Sequence, residues 1–482
     1  MNTAEFKYAL LGRPETLDPA SASSERSIHP SWLISETLFD VTGTLQNPVV
    51  QKSRLVDAVD PDPPNGTTLT VTLKPVPFQG FRDDAIRGLA PGTVDARYIA
   101  QILRSYQNSN RHKGKLFRLL VGNFHADGSN RQNLILDLKY ESHGYERLNY
   151  LEQIQLTDAS GSVPRGTGPF QYSTIGAPLV LEKNPQYGGP WTGNIDKVSF
   201  TVYDTPQKIS DALKNGDAHF TPALEVATLP PNVQRIEVDA LNLFYLGLDT
   251  KFPPFKDPLV RRAVAQAVNV SEVVNIARSN GLNAIAAQGP LPPPMRDEQV
   301  SQFRGDPAMA KHLLEIAGYK FATKVPLFYH GVLDNEVAGY IAARLQGVGI
   351  NVEPTPLPTW DDLLAAVRTG HGHLFLYSWH VRWPFPERFL VPLFHSELSE
   401  GTNLTRYDDR EFDRRLEEAL GLQGQDQSNA YSFLQQKIVD DVPMVCLYHT
   451  KRMAAYRVDL VKGLVLNPGA LPANKLMDVS VV

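Results

Sequence analysis

The residues best equipped for chemistry lie in one run, "FLYSWHVRWPFPERFLVPLF", at 375–394. Trp379, His380, Arg382 and Trp383 sit there in an apolar frame broken by prolines. A plain core strand has no use for Arg382 between Val381 and Trp383. A guanidinium presents a fork of donors that suits carboxylate or phosphate, and flat aromatic rings can line a ligand cleft. The alternative is a core strand ending in a polar turn, with Arg382 paired to an acid such as Glu387 and both tryptophans packed inside.

Other reactive groups carry weaker patterns. "HGH", His371 to His373, would put two imidazoles on one face if extended, a geometry compatible with metal. No cysteine or paired carboxylate accompanies them, and the competing reading is a polar turn before the strand "LFLYSW". Cys446 is the single cysteine. Its apolar setting in "VPMVCLYHT" points to a buried structural thiol, since a nucleophile needs exposure and an activating base. "GTGPFQ" at 166–171 lacks the lysine and third glycine of a phosphate loop, and a tight turn re-entering a strand fits it better. Acidic pairs such as Asp83–Asp84, Asp361–Asp362 and Asp440–Asp441 belong to helix starts and turns as readily as to acid–base chemistry. No GxSxG, HExxH or GxxxxGK[ST] motif occurs. The chain is therefore expected to be no enzyme, with no catalytic residue, no metal site and no cofactor.

The elements that must hold these residues alternate along the chain. Leu69, Val71 and Leu73, and again Leu134, Leu136 and Leu138, repeat at period two, as strands do. "VRRAVAQAV" and "DDREFDRRLEEAL" repeat at helical spacing, the latter through Phe412, Leu416 and Leu420. Ser271 offers an N-cap for "EVVNIAR". In "DPAMAKHLLEIAGY", Asp306 caps, Pro307 opens and Gly318 stops a helix. Strands dominate early and strand–helix alternation dominates later, which predicts an α/β chain with more than one sheet.

At 482 residues two or three lobes are expected. A net charge of −5 argues against nucleic acid as a partner, because phosphate binding needs a concentrated basic surface. No run approaches the length of a transmembrane helix, and the first residues lack a basic-then-apolar leader. An intracellular protein and one numbered after a removed leader are both consistent with that.

Several segments, read in order, resemble the peptide/nickel-type (family 5) solute-binding proteins of ABC importers, the oligopeptide- and dipeptide-binding receptors. "ETLDPA" followed by "ISETLFDVTG" is similar to the family's opening strand and helix. "LTVTLKPVPFQGFRDD" with "TVDARYIAQILRSY" resembles a later strand, turn and helix, with the turn altered. "GTGPFQYSTIGAPLVLEKNPQYGG" is close to its "GTGPY…L..NP.Y" signature. "LGLDTKFPPFKDPLVRRAVAQAVN", "DPAMAKHLLEIAGY" and "VPMVCLYHTKRMAAY" through "VKGLVLNPGA" complete an ordered set covering nearly the whole chain.

The resemblance implies a periplasmic-binding-protein-like α/β fold (type II, cluster C), with two main lobes, a two-strand hinge and an extra third domain. Lobe I would combine 1–43, 160–240 and 451–482; the extra lobe II would be 44–159; lobe III would be 241–450, with ligand between lobes I and III. The hinge would lie near "NLFYLGLD" and "VCLYHT". It implies an extracytoplasmic receptor, periplasmic or membrane-anchored, that is monomeric, captures a small molecule and delivers it to an ABC permease. A ligand sensor that signals to a partner protein is the alternative. In peptide-binding members the corresponding strand reads like "G-W-x-x-D-Y-x-D-P-x-x-F-L", and its first aspartate takes the ligand's ammonium. The tryptophan then falls on Trp379, the first aspartate on Arg382, the second on Phe385 and the proline on Pro386. The departure at Arg382 predicts an anionic or polar ligand, phosphorylated, sugar-bearing or peptide-like, rather than a simple peptide held by its free N-terminus. Tyr245, Arg26 and Ser24 are carried over as further ligand residues, and His380 as one that points into the cleft or away from it.

Overall fold

The structure is a computed structural model. It describes residues 4–14, 16–19, 22, 25–79, 94–108, 112–157, 164–222, 229–303, 305–320, 324–331, 334–467, 469 and 471–482. The chain divides into two compact units. The first comprises Met1–Ser109, Lys113–Asp239 and Arg452–Val482, and the second is essentially Ala240–Lys451.

In the first unit, β1 (Glu5–Leu11) runs parallel to β10 (Lys197–Tyr203). The sheet continues outward through β9 (Leu179–Lys183) and β8 (Phe170–Thr174), both antiparallel. On its other side β1 meets β11 (Phe220–Thr221). The strand pleat sorts β1 cleanly. Phe6, Tyr8 and Leu10 enter a core with Phe170, Leu181, Val198 and Phe200, while Ala9 joins Ile209, Ala212 and Leu213 of the helix Pro206–Asn215. A second, antiparallel sheet has the order β4 (Val56–Asp60), β5 (Asn65–Leu73), β7 (Asn133–His143), β6 (Val121–Ala126). Its period-two leucines and Val71 are buried, and the helix Ala96–Gln107 packs on it.

The second unit is built on the order β16 (Val352–Leu357), β15 (Val325–His330), β17 (Leu374–Val381), β13 (Leu241–Leu248), β18 (Met444–Arg457). The first three are mutually parallel, and β13 is antiparallel to both of its neighbours. Leu246, Leu248, Leu374 and Leu376 face a core with the helices Pro258–Ala267, Val270–Ser279 and Asn335–Val348. The chain passes between units after Asp239 and again within β18, after Lys451.

Most helix signals act as the sequence reading expects. Asp306 accepts from the amides of Ala308 and Met309, Pro307 opens the helix, and Gly318 follows it at φ +61. One differs. Ser271 lies inside the helix Val270–Ser279, and the cap is Asn269, whose side chain accepts from the amides of Ser271 and Glu272. Both residue types cap well, and Asn269 wins because "AVN" ends the preceding helix at Ala267 and leaves an extended residue there.

Candidate functional site

The tryptophan run straddles the end of β17. Antiparallel pairing sets Trp379 opposite Leu243 and Tyr377 opposite Tyr245, so these four side chains share one face of the ladder. Ser378 and His380 share the other face with Phe244 and Asn242. Trp379 is half-buried, and its indole N–H donates to the Arg388 carbonyl at 2.9 Å, which ties the strand to the helix Glu387–Phe394. His380 is exposed; its Nε2 lies 3.0 Å from the Ser378 hydroxyl, and its ring stands edge-on to Phe244 at 5.7 Å. Arg382 follows the strand and is half-buried. Trp383 is only 6% exposed, so at most an edge of its indole is available to solute. Beyond it the chain turns tightly, with the Phe385 amide donating to the Trp383 carbonyl at 2.9 Å. Glu387 is buried and accepts from the Tyr431 hydroxyl at 3.4 Å.

Tyr245 is buried among Phe375 and Tyr377, both edge-on, and burial pushes its phenol well above the ordinary range, with Tyr377 and Cys446 adding to the effect. It lines a small pocket with Phe244, Asp334, Trp360, Tyr377 and Tyr448. No local pattern marks that pocket, because its walls come from five separated segments that only the sheet order brings together. Arg26 belongs to the first unit, on the helix Glu25–Ile34. Its guanidinium lies over Gly12, where a Cβ would stand 2.7 Å from Nη1. Ser24 lies outside the described residues, as do Asp83 and Asp84.

The remaining reactive groups have structural surroundings. Gly372 takes φ +64, so "HGH" is not extended. His371 is exposed against Phe252 at 4.1 Å, whereas His373 is fully buried. Among the described residues no group of three or more His, Cys, Asp or Glu is arranged to hold a metal ion. Beside His373, the buried Asp249 accepts from the Gly372 amide at 2.7 Å and pairs with Arg406 at 2.9 Å. Arg406 also donates to the carbonyls of Val367, Arg368 and Gly370. Desolvation lowers His373 to about 4 despite Asp249, so it is neutral. Cys446 is buried and its thiol is pushed up to about 12, which removes the thiolate a nucleophile needs. The glycines of "GTGPFQ" have a packing reason: a Cβ on Gly166 would sit 1.9 Å from the Ile34 carbonyl oxygen, and one on Gly168 2.6 Å from the Ile34 carbonyl carbon.

The profile of bacterial extracellular solute-binding proteins, family 5 (middle), matches residues 142–400 and so takes in the whole of the aromatic run. Di/tripeptide-binding protein 2 of Pseudomonas aeruginosa is 29% identical over 329 residues, covering 64% of this chain and 60% of that protein. The chain thus spans less than two thirds of that relative's length. Among solved structures, the Helicobacter pylori periplasmic binding protein DppA with peptide STSA superposes with a TM-score of 0.83 at 20% identity, over 99% of this chain and 98% of that one. AgaA of A. tumefaciens R10 with agropinic acid gives 0.80 at 20% identity, over 99% of both chains. These likenesses show a periplasmic-binding-protein α/β fold of type II. The chain belongs to family 5 of the bacterial extracellular solute-binding proteins. Among the described residues no helix is long and apolar enough to cross a membrane.

Proposed function

We propose that this chain is the extracytoplasmic receptor of an ABC importer and that it holds an anionic or polar solute at the end of β17. Family membership supports the receptor role. The observation that carries the ligand class is Arg382. It is half-buried, directly beyond the strand, between the half-buried Trp379 and the buried Trp383. In the resembling peptide receptors this position holds the acid that takes an ammonium.

A half-buried guanidinium attracts carboxylate or phosphate through paired hydrogen bonds and repels an ammonium, and partial desolvation strengthens both effects. The fold is compatible with such ligands, since the superposable AgaA was solved with agropinic acid. Trp379 and, through its accessible edge, Trp383 then supply apolar surface, and His380 a polar one. Tyr245 supports the strand from within. Arg26 and Ser24 are kept as proposed ligand residues.

Native mass spectrometry of the gently purified protein tests the receptor role. A stoichiometric small molecule bearing a carboxylate or phosphate, lost on mild unfolding, is the expected result. A bound species that is purely cationic would overturn the ligand class.

A further inference from the structure

The pocket beside Tyr245, in the second unit, brings aromatic rings and an acidic side chain together. Five rings, Phe244, Tyr245, Trp360, Tyr377 and Tyr448, share its walls with the aliphatic Val337, Leu376 and Leu447. Its one charged lining group is Asp334. The rings brace one another. Phe244 stacks on Tyr448 at 4.7 Å with an interplanar angle of 14°. Trp360 stands perpendicular to Tyr377 at 5.5 Å, and Tyr377 meets Tyr245 edge-on at 6.5 Å. His330 backs Trp360 at 4.9 Å. Burial lowers the pKa of His330, so that ring adds no positive charge near neutral pH.

Asp334 stands at the N-terminus of the helix Asn335–Val348, yet its side chain makes no capping bond to that helix. Its charge acts on Tyr448. Together with burial, it pushes the Tyr448 phenol up, which keeps that hydroxyl protonated. The space is partly open and small, about 10 Å³, the lower limit for one water-sized group.

Ring faces carry negative quadrupole charge and attract cations, and a carboxylate beside them adds direct attraction in a poorly hydrated setting. The size selects among cations. A primary ammonium is about as large as water and fits. A quaternary ammonium or a guanidinium is too large for the space.

We propose that this pocket is a subsite for a primary ammonium group of the ligand, held by Asp334 against Trp360, Tyr377 and Tyr448. It deepens the proposed function and rests on the reading of the second unit as ligand-binding. Arg382 removes the usual partner for an ammonium at the end of β17, and Asp334 supplies one elsewhere in the same unit. A ligand using both would be zwitterionic, with its anion and its ammonium well separated, since Tyr377 lies within β17, at about 3.3 Å per residue, and Arg382 beyond its end.

The test uses the full chain labelled with 5-fluorotryptophan and read by fluorine NMR. Its five tryptophans give resonances assignable by single Trp→Phe variants. n-Butylammonium chloride is the probe, with tetramethylammonium chloride and sodium chloride as size and salt controls. A saturable shift of the Trp360 resonance with n-butylammonium alone is expected, weakened at least tenfold by Asp334→Asn. That substitution is isosteric and removes no capping bond; should its melting midpoint fall, Asp334→Ser is used in the same way. No saturable shift at Trp360, an equal response to tetramethylammonium, or an unchanged response in the Asp334 variant would overturn the proposal. Succinate, read at Trp379 and Trp383, separates the two readings. A response there with none at Trp360 to ammonium removes only the subsite. A response at Trp360 with none to succinate leaves the subsite and removes the anion reading.

Discussion

Residues 166–187 in the first unit and 375–394 in the second both fall within the family match, but they answer to different pressures. In the first, polar side chains and glycines serve the backbone. The side-chain amide of Asn184 donates to the Gly168 carbonyl at 2.9 Å, and its oxygen accepts from the Gln186 amide at 3.0 Å. Buried Gln79 donates to the carbonyls of Ile34, Gly168 and Phe170 and accepts from the Gly166 amide. In the second, the ladder between β13 and β17 already orders the backbone, and Trp379, His380 and Arg382 keep part of their surface toward solvent. A signature held by backbone contacts cannot vary without cost to folding. A signature of half-buried side chains at a strand end can change with the ligand, and Arg382 is proposed as such a change.

The largest expected break in this contrast is Gly166→Ala. A Cβ 1.9 Å from the Ile34 carbonyl oxygen forces the end of the helix Glu25–Ile34 away from the segment before β8, and a loss of about 3 kcal/mol or more is expected in urea unfolding. Gln79→Ala leaves buried carbonyls without their donor and is expected to cost about 2–3 kcal/mol, with the succinate response at Trp379 retained once the protein is folded. If either variant instead abolished that response while stability stayed unchanged, the division between packing and binding signatures would fail.

Acid should act on both units, and more on the second. His219 in the first unit and His373 and His449 in the second are buried, and burial lowers each from 6.5 to about 4. The native state thus resists protonation that the unfolded chain accepts. Stability contributed by each is fully present above pH 6.5 and is lost as pH falls from 6.5 toward 4, at up to about 1.4 kcal/mol per pH unit. Urea midpoints across this range, for the parent and for His373→Gln and His449→Gln, check the sign. A parent more stable at pH 5 than at pH 7 contradicts it. The smallest effect is that of Trp379→Phe, which removes the indole bond to the Arg388 carbonyl and should cost about 1 kcal/mol of stability.

The fold was largely legible because its signals are local. Period-two leucines marked β5 and β7, and Asp306, Pro307 and Gly318 bounded their helix. The one cap misplaced, Ser271 for Asn269, shows two good capping residues competing within three positions. Of the proposed site, the sequence marked only the end of β17 and the residues just beyond it, where Trp379, His380, Arg382 and Trp383 are neighbours in sequence. Asp334, Trp360 and Tyr448 were not, because strand order, not spacing, sets them beside Tyr245. "HGH" misleads in the opposite sense. Adjacent histidines part company at Gly372, whose positive φ sends His373 into the core and leaves His371 outside.

The central claim is that Arg382 sets the ligand's charge. Its most direct test titrates succinate and its neutral isostere succinamide into the fluorotryptophan-labelled protein and into Arg382→Ala. Succinate should shift Trp379 or Trp383 saturably in the parent and at least tenfold more weakly in the variant, with succinamide inert in both. No saturable response to succinate, or one that survives Arg382→Ala unchanged, would contradict the account.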